Sequence, residues 1–185
     1  ARLEDIAREA GVTRGALYWH FSSKADLYSA LIADATERIE RVIGAALAEG
    51  GSFVASTRRV MVRMLAYLEE DDTYRETQAL LLLRTGLDSD ADPGRAAQEL
   101  DLQTRERELT DIMRAGVQMG QFRADLDPVE GARAMLAYLD GIMTHWLLAP
   151  DTFSVSASAP ALVDIYIRGV AAAPGADVAA RQGKE

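Results

Sequence analysis

Leu3-Glu4-Asp5-Ile6-Ala7-Arg8-Glu9-Ala10-Gly11-Val12-Thr13-Arg14-Gly15-Ala16-Leu17-Tyr18-Trp19-His20-Phe21 is the stretch that decides how this chain is read. Leu3, Ile6, Ala7 and Ala10 recur at i, i+3, i+4 and i+7, so they share one helix face. Gly11 follows where a helix needs a left-handed residue to stop. Val12 is expected to plug the junction, and Thr13 to cap a second helix. Leu17 and Phe21 are four apart and turn towards the first helix together. At about 100° per residue, Gly15 and Trp19 point most directly away from Leu17. Ala16 and Tyr18 flank that outward face, and Arg14 sits in the first turn.

Two short helices joined by a tight turn, the second presenting basic and aromatic groups outward, is how a helix-turn-helix enters the major groove of DNA. The small residues Gly15 and Ala16 let the backbone approach base edges. Arg14 suits guanine or phosphate. Tyr18, Trp19 and His20 carry donors for phosphate oxygens. Three consecutive aromatic side chains cannot share one core, which argues against an ordinary helical hairpin. Ser22-Ser23-Lys24-Ala25-Asp26-Leu27 then reads as a stop and restart. Lys24 in a first helical turn is unfavourable unless an anion such as a phosphate lies nearby.

Asp5-Ile6-Ala7, Ala10-Gly11-Val12, Gly15-Ala16-Leu17-Tyr18-Trp19-His20-Phe21 and Lys24-Ala25-Asp26-Leu27 resemble the DNA-binding domain of TetR/AcrR-type transcriptional regulators, a likeness that runs from Leu3 to Leu31. Further on, Gly120-Gln121-Phe122-Arg123-Ala124-Asp125-Leu126-Asp127-Pro128, with Leu139-Asp140-Gly141-Ile142 and Trp146-Leu147, resembles the entry to the penultimate helix of that family. The resemblance implies an all-α, homodimeric repressor that leaves its operator when a small molecule binds. Carried over by position, Arg14, Gly15 and Ala16 sit at base edges, and Thr13, Tyr18, Trp19, His20 and Lys24 hold phosphates. The family's head has three helices and Ala1 falls at the start of the second, so a helix before Ala1 is expected to complete it.

The charge is at first sight wrong for a DNA binder, which is expected to be basic. The chain of 185 residues carries a net charge of −9. Residues 1–28, however, hold four basic residues against four acidic ones, so the whole excess lies in the rest. A neutral reading head on an acidic body predicts weak non-specific binding and marked salt sensitivity. The absence of cysteine excludes disulfides, thiolate nucleophiles and cysteine metal sites. With only His20 and His145, and no phosphate-binding glycine loop, an enzyme is disfavoured and no cofactor is expected. No apolar run reaches spanning length, so a cytoplasmic protein without membrane contact is expected.

Beyond the head the periodicity is helical throughout, with no strand pattern or repeat. Residues 1–28 are read as the DNA-binding domain, 29–173 as a helical effector-binding and dimerisation domain, and 174–185 as a flexible tail. Ala25–Ala48 reads as one continuous amphipathic helix linking head to body. Ser52–Glu70 is the next, followed by a solvated acidic turn, Glu69-Glu70-Asp71-Asp72, whose four consecutive acids do not converge on a metal. Tyr74–Leu87 follows, with Leu80 to Leu83 apolar all round and therefore central. Ser89–Gly94 is a loop, Arg95–Met119 a long charged helix, and Pro128 opens a helix that runs to about Leu148. Asp151–Ala159 reads as a serine-rich loop before a last helix over Ala161–Ala172.

By the resemblance, the last two helices form the dimer interface. Val129, Ala132, Leu136, Leu162, Ile165, Tyr166 and Gly169 make the apolar stripes available for it, with burial inside one subunit as the alternative. A dimer would set two recognition helices roughly 34–36 Å apart on a palindromic operator. The family's effector cavity lies within the body. Met64, Gln78, Met113, Tyr138, His145 and Trp146 are candidates for it, since methionine adapts to varied apolar ligands. The likeness is greatest to regulators of multidrug efflux pumps, which implies a bulky apolar effector. A regulator of a metabolic or lipid pathway with another ligand, or a helical dimerisation module that does not bind DNA, are the competing readings.

Overall fold

The computed structural model describes residues 3–9, 11–83 and 93–173. They form eight α-helices and no strand: α1 (Leu3–Glu9), α2 (Arg14–His20), α3 (Lys24–Ala48), α4 (Phe53–Glu70), α5 (Asp72–Leu82), α6 (Pro93–Gln118), α7 (Pro128–Leu148) and α8 (Val155–Val170). A single 3-10 turn, Pro150–Thr152, joins the last two. The expected tail at 174–185 lies outside the described residues.

Local chemistry sets the boundaries in the head. Gly11 adopts φ 66°, and the Val12 amide returns to the Ala7 carbonyl at 3.0 Å, closing α1. Thr13 Oγ1 accepts from the Ala16 amide at 3.1 Å and opens α2. Ser23 Oγ accepts from the Asp26 amide, and the Asp26 carboxylate accepts in return from the Ser22 amide, a reciprocal cap that starts α3. Val12 does not plug the junction: it is 45% exposed, and Ala7 is the buried residue there.

The core of the body gathers Met61, Leu65 and Leu68 of α4, Met113 of α6, Phe122, and Val155 and Val163 of α8. Phe122 enters it by a tight turn after α6. Gly120 at φ 67° ends the helix, and the amides of Gln121 and Phe122 both return to the Gly116 carbonyl. The Phe122 ring then lies against Gly116, where a Cβ would overlap it. Backbone hydrogen bonds from Arg123 to Val170 and from Ala172 to Gln121 pin this turn to the end of α8.

Several sequence expectations are corrected. The helix expected over Ala161–Ala172 is α8, which starts six residues earlier, at Val155. The serines suggested a loop, but Ser154 caps the helix and the Glu69 carboxylate accepts from the Val155 and Ser156 amides at 3.1 and 3.0 Å. Val155 and Ala159, both fully buried, add the apolar gain that outweighs Pro160 within the helix. Nor is the acidic run a solvated turn. Asp71 alone separates α4 from α5, and it is half-buried as the cap of α5. Leu80 is not central but 42% exposed. The helix expected to reach Leu87 is described only to Leu82, and α6 begins at Pro93, two residues before the expected start. The rest of the expected loop lies outside the described residues.

Candidate nucleic-acid interface and effector region

The outward face of α2 is open. Trp19 is 82% exposed, and Thr13, Arg14, Gly15, Ala16, Tyr18 and His20 are exposed beside it. A Cβ added at Gly15 would meet nothing within 4 Å, so the helix backbone is accessible there. Leu17 and Phe21, half-buried, face inward as their spacing predicts. Trp19 and His20 stack edge to face at 4.7 Å, and the Arg14 guanidinium lies 5.3 Å over the Tyr18 ring. Arg14 also pairs with Glu4 of α1 at 2.8 Å, a partner that sequence spacing does not reveal. Lys24 opens α3, but its side chain lies outside the described residues. The surface joins stacking planes, hydrogen-bond donors and a cation on one short helix.

The six effector candidates do not converge. Met113 and Trp146 are core residues, and the Trp146 indole donates to the Phe153 carbonyl at 3.0 Å. Met64 is half-buried on α4. Half-buried Gln78 of α5 hydrogen-bonds the Tyr74 hydroxyl, whose pKa is pushed up to about 12 chiefly by burial. Tyr138 and His145 instead line a groove of about 300 Å³ between α7 and α8, with Ala137, Gly141, Ile142, Phe153 and Leu162. The Tyr138 hydroxyl donates to the Leu162 carbonyl at 2.8 Å and closes one wall.

That groove lies on the face expected for a partner copy, and the seven interface candidates divide there as well. Ile165 is 65% exposed, Gly169 is exposed, and Leu162 and Val129 are half-buried. Ala132, Leu136 and Tyr166 are buried within the protomer, so they offer no surface to a partner. The Tyr166 hydroxyl donates to the Gly131 carbonyl at 2.8 Å, which explains its inward turn. Period alone could not tell the buried side of each helix from the open one.

Two polar clusters of the body are absent from the sequence expectations. Arg38 of α3 bonds Asp34 at 2.7 Å and Asp71 at 3.2 Å, and the Tyr67 hydroxyl donates to Asp71 at 2.7 Å. These bonds, first that of Tyr67, hold the Asp71 carboxyl below its ordinary value. In the second cluster, Arg105 of α6 bonds Asp101 at 2.9 Å and lies 3.8 Å from Asp140 of α7. Burial raises the Asp140 carboxyl, with Arg105 opposing. A basic residue four after an acid, at Asp34–Arg38 and Asp101–Arg105, was the available signal.

The described arrangement is that of a helix-turn-helix head on a helical body, and known proteins share it. Residues 1–31 match the model of bacterial regulatory proteins of the tetR family. The chain belongs to this family of transcriptional regulators. Residues 52–171 match the C-terminal region of MAATS-type transcriptional repressors, which places the chain in that branch. It is 31% identical to the transcriptional regulator TtgR of Pseudomonas putida over 163 residues, 88% of this chain and 78% of that one. Among solved structures it is similar to NalD, the secondary repressor of the MexAB-OprM multidrug efflux pump in Pseudomonas aeruginosa. That match has TM-score 0.72 and 26% identity, and covers 92% of this chain and 87% of the other. The triclosan complex of SmeT shares the fold at TM-score 0.76 and 23% identity, over 95% of this chain and 83% of that one. Among the described residues no helix is long and apolar enough to cross a membrane.

Proposed function

We propose that this chain is a ligand-responsive repressor that binds a palindromic operator as a homodimer and is released by a small apolar effector, with control of a multidrug efflux pump as its role. The observation that carries the DNA-binding half is the open outer face of α2, where Trp19, Tyr18, His20 and Arg14 stand exposed around an unobstructed Gly15. Arg14, Gly15 and Ala16 read base edges; Thr13, Tyr18, Trp19, His20 and Lys24 hold phosphates. Efflux control is supported by the relatives, since NalD is a repressor of such a pump.

The second copy docks on the outer face of α7 and α8, around exposed Gly141, Ile165 and Gly169. Small residues there permit close helix approach, and a partner covers the apolar groove. The effector would enter the body beside Gln78, where the Tyr74 hydroxyl and the Arg105–Asp140 pair offer polar groups to orient it. Effector binding shifts α3 and respaces the two heads.

Electrophoretic mobility shift on the DNA upstream of the protein's own gene, at low salt and without effector, tests the reading. A retarded complex that a bulky apolar drug dissolves while the protein stays dimeric is the expected result. No shift at any protein concentration overturns it, and a drug that splits the dimer overturns the release mechanism.

A further inference from the structure

The cation on the reading face is already engaged. Arg14 Nη2 lies 2.8 Å from a Glu4 carboxylate oxygen, and both side chains are largely in water, 69% and 44% exposed. Such pairs contribute little and exchange partners readily. Glu4 belongs to α1, so the contact spans the turn and brings a carboxylate beside the surface meant for DNA. Residues 1–28 are formally neutral, so one added or removed charge is a large change in the attraction of this head for a phosphate backbone.

We propose that Glu4 is a specificity-determining residue: it withholds Arg14 from the phosphates of arbitrary DNA and releases it only to a guanine edge. The inference rests on α2 being the base-reading helix. On arbitrary sequence, moving Arg14 to a phosphate exchanges one anionic partner for another and leaves the Glu4 carboxylate bare against the backbone. The exchange gains little. A guanine offers O6 and N7 together, and two parallel hydrogen bonds to the guanidinium offset the lost pair. The Tyr18 ring under the guanidinium, 5.3 Å from its carbon, supports the same plane in both states. Glu4 thus acts against wrong sites, as a repulsive element built into an interface does.

The test compares the full chain with its Glu4→Gln variant on two duplexes of equal length. One is an operator recovered from random-sequence DNA by selection with the unmutated protein, the other a mixed-sequence duplex. Fluorescence anisotropy across a salt series gives both affinities. Glu4→Gln is expected to bind mixed-sequence DNA several-fold more tightly. Its log–log salt dependence there should be steeper by about 0.9 per head, because the freed Arg14 neutralises one more phosphate. The operator gains less, so the specificity ratio falls. In an Arg14→Ala background the same substitution leaves the ratio unchanged, because the two residues act as a pair. Equal tightening on both duplexes, or a fall in the ratio that survives Arg14→Ala, overturns the proposal. If selection with the unmutated protein recovers no operator, the assignment of α2 as a reading helix fails, and the role of Glu4 fails with it.

Discussion

Single side chains in this molecule separate cleanly into those that hold the fold and those that face outward. Trp19, at 82% exposed, has almost nothing to lose in the fold. Trp19→Ala and Tyr18→Ala are expected to weaken DNA binding on all sequences while leaving the thermal midpoint unchanged, as mobility shift and circular dichroism would show. Phe122 is the opposite case. It is fully buried and its ring lies on Gly116, so Phe122→Ala should cost about 3–5 kcal/mol in urea unfolding. Asp140 is half-buried with Arg105 no nearer than 3.8 Å, and its carboxyl is raised, so its ionised form is disfavoured by folding. For an acid raised in this way the destabilisation is full above the folded pKa and disappears below the unfolded value of 3.8. Asp140→Asn should therefore raise the midpoint at pH 7 and leave it unchanged near pH 3 in differential scanning calorimetry. The exposed residues of α2 were legible because a helix of seven residues has only one outer face. Asp140 was not, since its partner Arg105 lies on the preceding helix, 35 residues earlier.

Helices here are held as much by their ends as by their faces. Asp71 caps α5 through the Tyr74 amide at 2.7 Å, and it also receives Tyr67 and Arg38. One carboxylate thus joins α3, α4 and α5. Asp71→Ala is expected to lower stability by about 1–2 kcal/mol, the upper range for a lost cap. The loss is pH-dependent with a definite sign. The folded carboxyl lies below its unfolded value of 3.8, so its contribution is complete above that pH and vanishes as pH falls through the depressed value. Wild type and variant should therefore converge in acid titrations monitored by circular dichroism. Element existence was readable from apolar period, and seven of the eight helices begin within two residues of their expected starts. The start of α8 was not, because beside the local cap Ser154 its first amides donate to Glu69, 86 residues before Val155. The acidic run looked like a plain solvated turn for a similar reason: the α8 amides that meet Glu69, and Arg38 that meets Asp71, are distant in sequence.

At the scale of the whole molecule the outer face of α7 and α8 carries the prediction. Ile165→Asp puts a charge where the proposed partner would sit, and the residue is too exposed to matter to the protomer fold. The variant should be monomeric in analytical ultracentrifugation, stay helical, and lose operator binding, because one head cannot span two half-sites. The effector candidates were the least readable residues of the chain, since methionines and aromatics line both core and groove, and only the fold separates Met113 from Tyr138. The bracing of α3 has a mechanical consequence. Arg59 holds the far end of this helix through the Ala46 and Gly50 carbonyls, and Arg38 fastens its middle to Asp71. From Arg38 to Lys24 this helix extends about 21 Å, at about 1.5 Å per residue, with Ala35 still packed in the core. A tilt of about 5° about that fastening would swing its tip by roughly 2 Å. Two such arms moving in opposite senses would change the span of the pair by about twice that, against a groove repeat of roughly 34–36 Å. In the proposed dimer a displacement too small to disturb the core around Leu65 would thus be geared up, by arm length alone, into a misfit that rigid DNA would not follow.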